Sequence, residues 1–429
     1  MIARRIQPRV LEALVRRSAV SLVAITGSNG KTTTARLASG LLRGEGFAVL
    51  ANSAGSNLVQ GVTSLVVRSA NLRGTLPAAV LMAEVDEGAL LVVAAEAPPR
   101  ALLVTNLFRD QLDRYGELYA VAAAIASATA SVAPDAVVIV NADDPLVATM
   151  AAERTGRRVT FGFALPSSTD RITRAADSIR CPRCRSELTY RAVYLAHLGD
   201  YACQSCGFAR PSLDVAVTSL EVPSIRETRC VVRTPDGEIA LTIPQAGVHV
   251  AYNAAAAIAI TIGLGVPIPH AAASLAAVGP AFGRLETIAA AGREFVLAFA
   301  KNPTSFNTTL RALASEGEPR QLLLAVSNTL VDGEDFAWLW DVDFEGAVPY
   351  IEHVVVSGTR ADELANRLKY AGLDPRRIET ITDRRQALDR ALASAGPGRR
   401  VTIVAGYSPT IELREEMRRR GWVGRFWQA

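Results

Sequence analysis

The chain has 429 residues, 49% of them apolar, which predicts two or three domains with well-filled cores. A formal net charge of +4 is too small to argue for nucleic acid or a charged membrane patch. No apolar run reaches the roughly 18 residues needed to span a bilayer. The start, broken by Arg16 and Arg17, lacks a cleavable signal pattern, so a cytoplasmic protein is expected.

In chain order, a short helix precedes a β-branched strand, "VSLVAITG", which runs into Gly27-Ser28-Asn29-Gly30-Lys31-Thr32. A strand, a glycine loop and a helix start aim backbone N–H groups and a helix N-terminus at one anion. Spacing of the G-x-x-x-x-G-K-S/T type would need glycine where Ile25 stands, so this is a variant phosphate loop. The chain has only three lysines, Lys31, Lys301 and Lys369, which makes their placement informative. Lys31 is expected to neutralise phosphate charge and Thr32 to offer a hydroxyl to Mg²⁺.

Further apolar runs, "AAVLMAEV", "RALLVTNL" and "DAVVIVNADD", alternate with helical patterns up to about residue 160. That rhythm predicts a parallel sheet with crossover helices. Ligands in such sheets lie beyond the carboxyl ends of strands. Residues 26–33, 84–87, 106–113 and 141–144 all fall there. Glu84, Asp86 and Glu87 suit Mg²⁺, a hard cation that takes oxygen ligands.

Residues 178–212 break the rhythm. Cys181, Cys184, Cys203 and Cys206 make C-x₂-C-x₁₈-C-x₂-C, the spacing of a zinc ribbon. Four thiolates close a tetrahedron, so a structural zinc is expected to staple an insertion too small for its own core. His197 is then not needed as a ligand, and Cys230, in an apolar strand, is expected to be buried and inert. Strand-like text resumes, "HVAYNAAAAIAITIGLG" reads as one helix, and "GPAFGRLETI" reads as a hinge. A second α/β unit follows, with strands at "EFVLAFAKN", "RQLLLAVSN", "HVVVSG" and "RVTIVAG". Within it, "VDGEDFAWLWDVDFEG" sets acids around Trp338 and Trp340. Two readings stand side by side: an aromatic-anchored loop with solvated acids, or a carboxylate placed to handle an amine nucleophile.

"TGSNGKTTT", "EVDEG", "TNLFRDQLDRYGE", "VIVNADDP", "GVHVAYNAAAAIA" and "FGRLE" occur in this order. They resemble the Mur ligase and folylpolyglutamate synthetase superfamily, whose loop holds ATP to activate a carboxylate as an acyl phosphate. The resemblance implies a Mur-ligase-like central ATP-binding domain over residues 1–285, with the zinc-ribbon insertion at about 178–212, and a smaller α/β C-terminal domain over 286–429. The usual N-terminal UDP-sugar domain is absent before the loop, the Cys₄ insertion is present, and the C-terminal unit carries "KNPTSFN" and "DGEDFAWLWDVDFE". These features are similar to the MurT family, the synthetase subunits of lipid II isoglutaminyl synthases.

The resemblance implies ATP-dependent amidation of the D-glutamate α-carboxylate in the lipid II stem peptide. Ammonia would come from a GatD-type glutamine amidotransferase partner, and membrane contact would be at most transient. It places Gly27, Asn29, Gly30, Lys31, Thr32 and Thr33 at ATP, Glu84 on Mg²⁺, Asn253 near adenine, and Arg284 and Lys301 toward the phosphates. It puts a catalytic aspartate at Asp341, with Asp335 second. Gln111 stands where many Mur ligases have histidine, and no lysine lies between Lys31 and Lys301 to be carbamylated. A stand-alone amino-acid ligase and a non-catalytic ATP-binding scaffold are the alternatives.

Overall fold

The computed structural model describes residues 2–52, 56–109, 118–152, 155–172, 176–279, 283, 285–396 and 399–424. Gln111 and Arg284 lie outside the described residues. In chain order the strands are β1 (Ser21–Thr26), β2 (Val49–Ala51), β3 (Val80–Glu84), β4 (Ala101–Val104), β5 (Val137–Asn141) and β6 (Arg158–Phe163). Next come β7 (Thr189–Leu195), β8 (Leu198–Ala202), β9 (Val215–Ser224), β10 (Glu227–Thr234) and β11 (Gly237–Ile243). The last six are β12 (Glu286–Ala290), β13 (Arg293–Phe299), β14 (Arg320–Ala325), β15 (Ile351–Ser357), β16 (Ile378–Thr380) and β17 (Arg400–Ala405).

The first sheet has nine strands in the order β11-β10-β9-β6-β5-β4-β1-β3-β2. From β2 to β9 every pair is parallel, and β10 and β11 add an antiparallel extension. The expected parallel sheet is present, with β6 and the short β2 added to the apolar runs. The central strands β3, β4 and β5 are buried along their whole length, as a sheet covered on both faces requires. One cover is the helix Val248–Gly263, buried at every position from Val250 to Thr261. A largely apolar helix buried on all sides has no solvent face to present, and this one packs between β4, β5, β6, β9 and the helix Lys31–Gly44.

The second sheet has six strands, β12-β13-β17-β14-β15-β16. It is parallel except for the β12–β13 hairpin. The helix Ala361–Tyr370 buries Leu364, Ala365 and Leu368 and carries acids in its first turn and bases in its last, an arrangement matched to the helix dipole. The whole is the α/β fold expected of a Mur-ligase-like chain. Among the described residues no helix is long and apolar enough to cross a membrane.

Between β6 and β9 the insertion folds as an antiparallel β7–β8 hairpin carrying two cysteine turns. Its small core joins Cys181, Leu188, Tyr201, Cys203 and Phe208 to Ala148 of the first unit. Buried polar contacts fix it to the turn after β5. The Tyr201 hydroxyl donates to the Ala142 carbonyl at 3.1 Å and the Gly199 N–H to the Asp143 carbonyl at 3.0 Å. Arg210 pairs with the Asp143 carboxylate at 2.8 Å. That carboxylate also accepts from the Tyr252 hydroxyl at 2.6 Å and the Phe163 N–H at 2.8 Å.

Burial pushes Asp143 up to about 6, against the downward pull of Arg210, Tyr252 and Phe163. An unfolded aspartate titrates near roughly 3.9. Between those values the folded chain holds the extra proton, so the group's contribution to stability falls as pH rises from about 4 to about 6 and is level beyond. In Asp143→Asn that slope should vanish. The wild-type minus variant unfolding free energy should therefore drop by on the order of 2–3 kcal/mol from pH 4 to pH 7, measured by urea titration at each pH. An unchanged difference would contradict the burial assignment.

Candidate active site

The loop after β1 turns twice through left-handed backbone, at Gly27 (φ 116°) and Gly30 (φ 89°). A side chain at Gly27 would meet the Thr105 hydroxyl at 2.3 Å, and one at Gly30 would meet the Asn253 carboxamide oxygen at 2.3 Å. Both positions need glycine for conformation and for clearance. The loop is clamped from the β4 side. Ser28 N–H donates to the Asn106 carbonyl at 2.8 Å, and Asn29 N–H to the Asn106 Oδ1 at 2.9 Å. The Asn106 side chain donates back to the Asn29 carbonyl at 3.1 Å. The Ser28 hydroxyl bonds both the N–H and the carbonyl of Phe108.

Lys31 opens the helix Lys31–Gly44 and is buried. Its ammonium donates to the Gly27 carbonyl and to Glu87 Oε1, the latter at 2.9 Å. Thr32 donates to Glu84 Oε2 at 2.7 Å. Asn52, after β2, holds the Glu84 backbone through both its amide atoms. Asp86 instead turns back onto the Gly88 N–H at 3.1 Å. The three acids of "EVDEG" thus part company: Glu84 faces Thr32, Glu87 pairs with Lys31, and Asp86 shapes the turn.

Thr33 is buried and lines, with Asn29, Gly30 and Asn253, a cleft between the two units. Its far wall comes from the second unit, through Ala298, Phe299, Thr304, Ser305, Thr308 and Thr309. Asn253 accepts from the Thr34 hydroxyl at 3.3 Å. The side-chain nitrogens of Asn253 and Asn29 are buried with no partner among the described residues. Two orphaned donors facing one cleft are a place for a hydrogen-bonding ligand. A mostly apolar cleft with a few convergent polar groups suits a nucleotide base.

Lys301 lies just before Asn302, the N-cap of the helix Pro303–Ala314, which forms a capping box with Ser305. The Lys301 and Asn302 N–H groups both donate to the Ser305 hydroxyl. The Asn302 side chain reaches Asn29 Oδ1 at 3.2 Å, so the start of this helix touches the phosphate loop across the cleft. Sequence reasoning missed this bridge. "KNPTSFN" reads as a helix start, but nothing in the string says which loop it faces.

The acidic segment is anchored as one reading expected: Phe336, Leu339, Val342 and Phe344 are buried, and Trp338 packs on Phe306 with ring centroids 5.6 Å apart. The two candidate aspartates separate. Asp335 is exposed and accepts from the Ala337 N–H at 2.9 Å, shaping its own turn. Asp341 meets Arg109 of the first unit at 3.0 Å. Arg109 itself carried no expectation from sequence.

The sulfur atoms of Cys181, Cys184, Cys203 and Cys206 lie within 4.8 Å of one another. A tetrahedron with Zn–S of about 2.3 Å puts sulfurs roughly 3.8 Å apart, so the four thiols fit one metal ion. The turns match: Arg185 (φ 66°) and Gly207 (φ 72°) follow the second cysteine of each pair. Cys184 is lowered to about 6, first by the Ser186 hydroxyl and then by its N–H. His197 is not part of the cluster. It is fully buried, with Nε2 3.5 Å from Asp144. Cys230 is buried in β10, and burial pushes its thiol up to about 12, as an inert residue requires.

Residues 25–187 match the family profile described as Mur ligase middle domain. Residues 299–409 match the one described as MurT ligase C-terminal. The chain is 30% identical, over 96% of its own length and 90% of the relative's, to the MurT subunit of the lipid II isoglutaminyl synthase (glutamine-hydrolyzing) of Streptococcus pneumoniae. Identity is also 30% to the MurT subunit of Staphylococcus aureus, over 87% of this chain and 82% of that one. Among solved structures, a pseudomurein peptide ligase type C from Methanothermus fervidus superposes with a TM-score of 0.72 at 21% identity, covering 94% of this chain and 79% of that one. The Mycobacterium tuberculosis folylpolyglutamate synthase complexed with ADP and AMPPCP gives 0.64 at 17% identity, covering 96% and 94%. These two fix the Mur ligase fold, and the sequence relatives fix the branch: the chain is a ligase and belongs to the MurT family.

Proposed function

We propose that the chain is the ATP-dependent amidating subunit of a two-part enzyme of peptidoglycan synthesis. It converts the D-glutamate α-carboxylate of the lipid II stem peptide to the amide, with ammonia delivered by a GatD-type glutaminase. One observation carries this reading. The similarity to a MurT subunit covers 96% of the chain and so runs through both units, which supports reading the phosphate loop and the acidic turn as parts of one site. We place the division between the units at 285/286.

In this mechanism the loop N–H groups and Lys31 hold the triphosphate, with Lys31 exchanging its Glu87 and Gly27 partners for phosphate oxygens. Thr32 and Glu84 would hold Mg²⁺, which when bound supplies charge neutralisation at the β- and γ-phosphates. Asn253 and Asn29 would take the base and sugar side with their orphaned donors. Lys301 and Arg284 would close on the transferring phosphoryl group. A substrate carboxylate oxygen attacks the γ-phosphorus, ADP leaves, and the acyl phosphate is attacked at carbon by ammonia. Phosphate departs with its electron pair, and the surplus N–H proton passes to Asp341, a carboxylate base. Asp335 is the second choice for that role. Ammonia needs no side-chain pocket, only a shielded acyl phosphate.

Lys31→Ala should lower amidation by about 10²–10³-fold, the scale seen when one electrostatic clamp on a reacting group is removed. A steady-state assay of ADP release with lipid II and glutamine checks this, and near-normal turnover would sink the assignment. Asp341→Asn should abolish amide formation while leaving ATP affinity within about two-fold, read by muropeptide mass spectrometry and nucleotide titration. Wild-type protein should also use free ammonium without any added amino acid. A strict need for an amino acid would favour the stand-alone ligase instead.

The four cysteines would hold one structural zinc. Stripping it with a strong chelator should release about one equivalent, lower the melting temperature and raise hydrogen exchange across 178–212. Metal analysis giving no zinc in protein purified without chelator would overturn this.

A further inference from the structure

Arg109 stands between the two units with its charge already committed. Its backbone N–H donates to Asp177 Oδ2 at 2.9 Å, and its Nε to the other oxygen of that carboxylate. From the free end of the fork, Nη2 donates to Asp341 Oδ2 at 3.0 Å. The anchor is firmer than the target: the Asp177 side chain is 4% exposed and that of Asp341 25%. Asp177 in turn donates its N–H to His197 Nδ1 at 3.2 Å. The His197 ring lies 4.6 Å from Phe108, beside Asp144. Burial works to lower the pKa of Arg109, but Asp177 and Asp341 outweigh it and raise the value. The guanidinium is a fixed cation.

Two more ion pairs join the same faces. Asp170, whose side chain is 3% exposed, meets Arg311 at 2.6 Å, and Arg171 meets Asp343 at 3.7 Å. Asp170, Arg171 and Asp177 all lie on the segment leading into the cysteine insertion. Asp170 and Arg171 meet the helix Pro303–Ala314 and the acidic turn, while Asp177 holds Arg109. A planar fork held rigidly at one end orients a carboxylate at the other better than a lysine could.

We propose that Arg109 is a positioning residue for amidation: anchored on Asp177 at the stem of the insertion, it fixes the orientation of the Asp341 carboxylate. This rests on the reading that Asp341 takes the ammonia proton. As the new C–N bond forms and the acyl C–O bond to phosphate breaks, the leaving phosphate carries the electron pair away. Arg109 occupies Oδ2, which leaves Oδ1 to accept the proton.

The test compares Arg109→Ala, Arg109→Lys and Asp177→Asn in the complex with its glutaminase, and again with ammonium chloride as the nitrogen source. Arg109→Ala should lower kcat for amidation by about 10- to 100-fold, the cost of a misplaced catalytic group. It should raise KM for ammonium and leave KM for ATP and the initial ADP burst within about two-fold. Arg109→Lys should recover part of the loss. An unchanged kcat, or an ADP burst that falls as far as amidation does, would overturn the proposal. Should Arg109→Ala fail to fold, Asp177→Asn reads the same split, because it keeps an oxygen for the Arg109 N–H and removes the anchoring charge. Asp341→Asn separates the two ideas. If it is inactive while Arg109→Ala behaves as wild type, positioning alone fails; if it is fully active, the underlying reading fails too.

Discussion

The structure is organised around a loop that cannot accept a single extra carbon. Gly27 and Gly30 face Thr105 and Asn253 at distances no Cβ tolerates, so the amides of the phosphate loop are set by neighbours on both sides. One neighbour is the turn after β4, held by Asn106. The other is the buried helix Val248–Gly263, which carries Asn253. Backbone donors fixed in this way need no reorganisation when charge arrives, which is the basis of electrostatic preorganisation. Lys31 already has a carboxylate and a carbonyl as partners, so in the proposed mechanism a phosphate would replace existing partners instead of recruiting a solvated ammonium.

The insertion gains importance from where it is tied. Its hairpin is fastened to the turn after β5 by Tyr201, Gly199 and Arg210. Its leading segment carries the acid and the base, Asp170 and Arg171, that meet the second unit. A module with a core of a handful of side chains has little stability of its own, yet it contributes a rigid edge to the cleft. The cysteine cluster and the ion pairs to the second unit are therefore parts of one support.

Much of this was legible from the chain alone. β-branched runs such as "VSLVAI" and "DAVVIV" gave the central strands because burial on both faces leaves little choice of residue. The spacing of the four cysteines foretold their cluster, with sulfurs within 4.8 Å of one another, because two tight C-x₂-C turns leave few arrangements. Less was visible where meaning depends on distance. Arg109 and Asp341 are far apart in sequence, and neither residue type alone announces a pair. Asn302 looks like an ordinary N-cap until the fold brings it to Asn29. The strand β6 escaped notice because "RRVTFGF" is short and charged at its start. "EVDEG" looked like a set of metal ligands, but side-chain direction after a strand end distributes its three acids among three tasks.

The parallel pairing of β6 with β9, from Phe161 against Val215 to Phe163 against Val217, has a kinetic corollary. The whole cysteine hairpin lies between these two strands, so the sheet cannot extend until that long segment has been gathered in. Closing such a loop as a flexible chain costs entropy that grows with the logarithm of its length, and non-local strand pairing is slow for this reason. A hairpin closed before β9 docks would shorten the effective tether, so the order in which the insertion and the sheet close bears on how readily β9, β10 and β11 join.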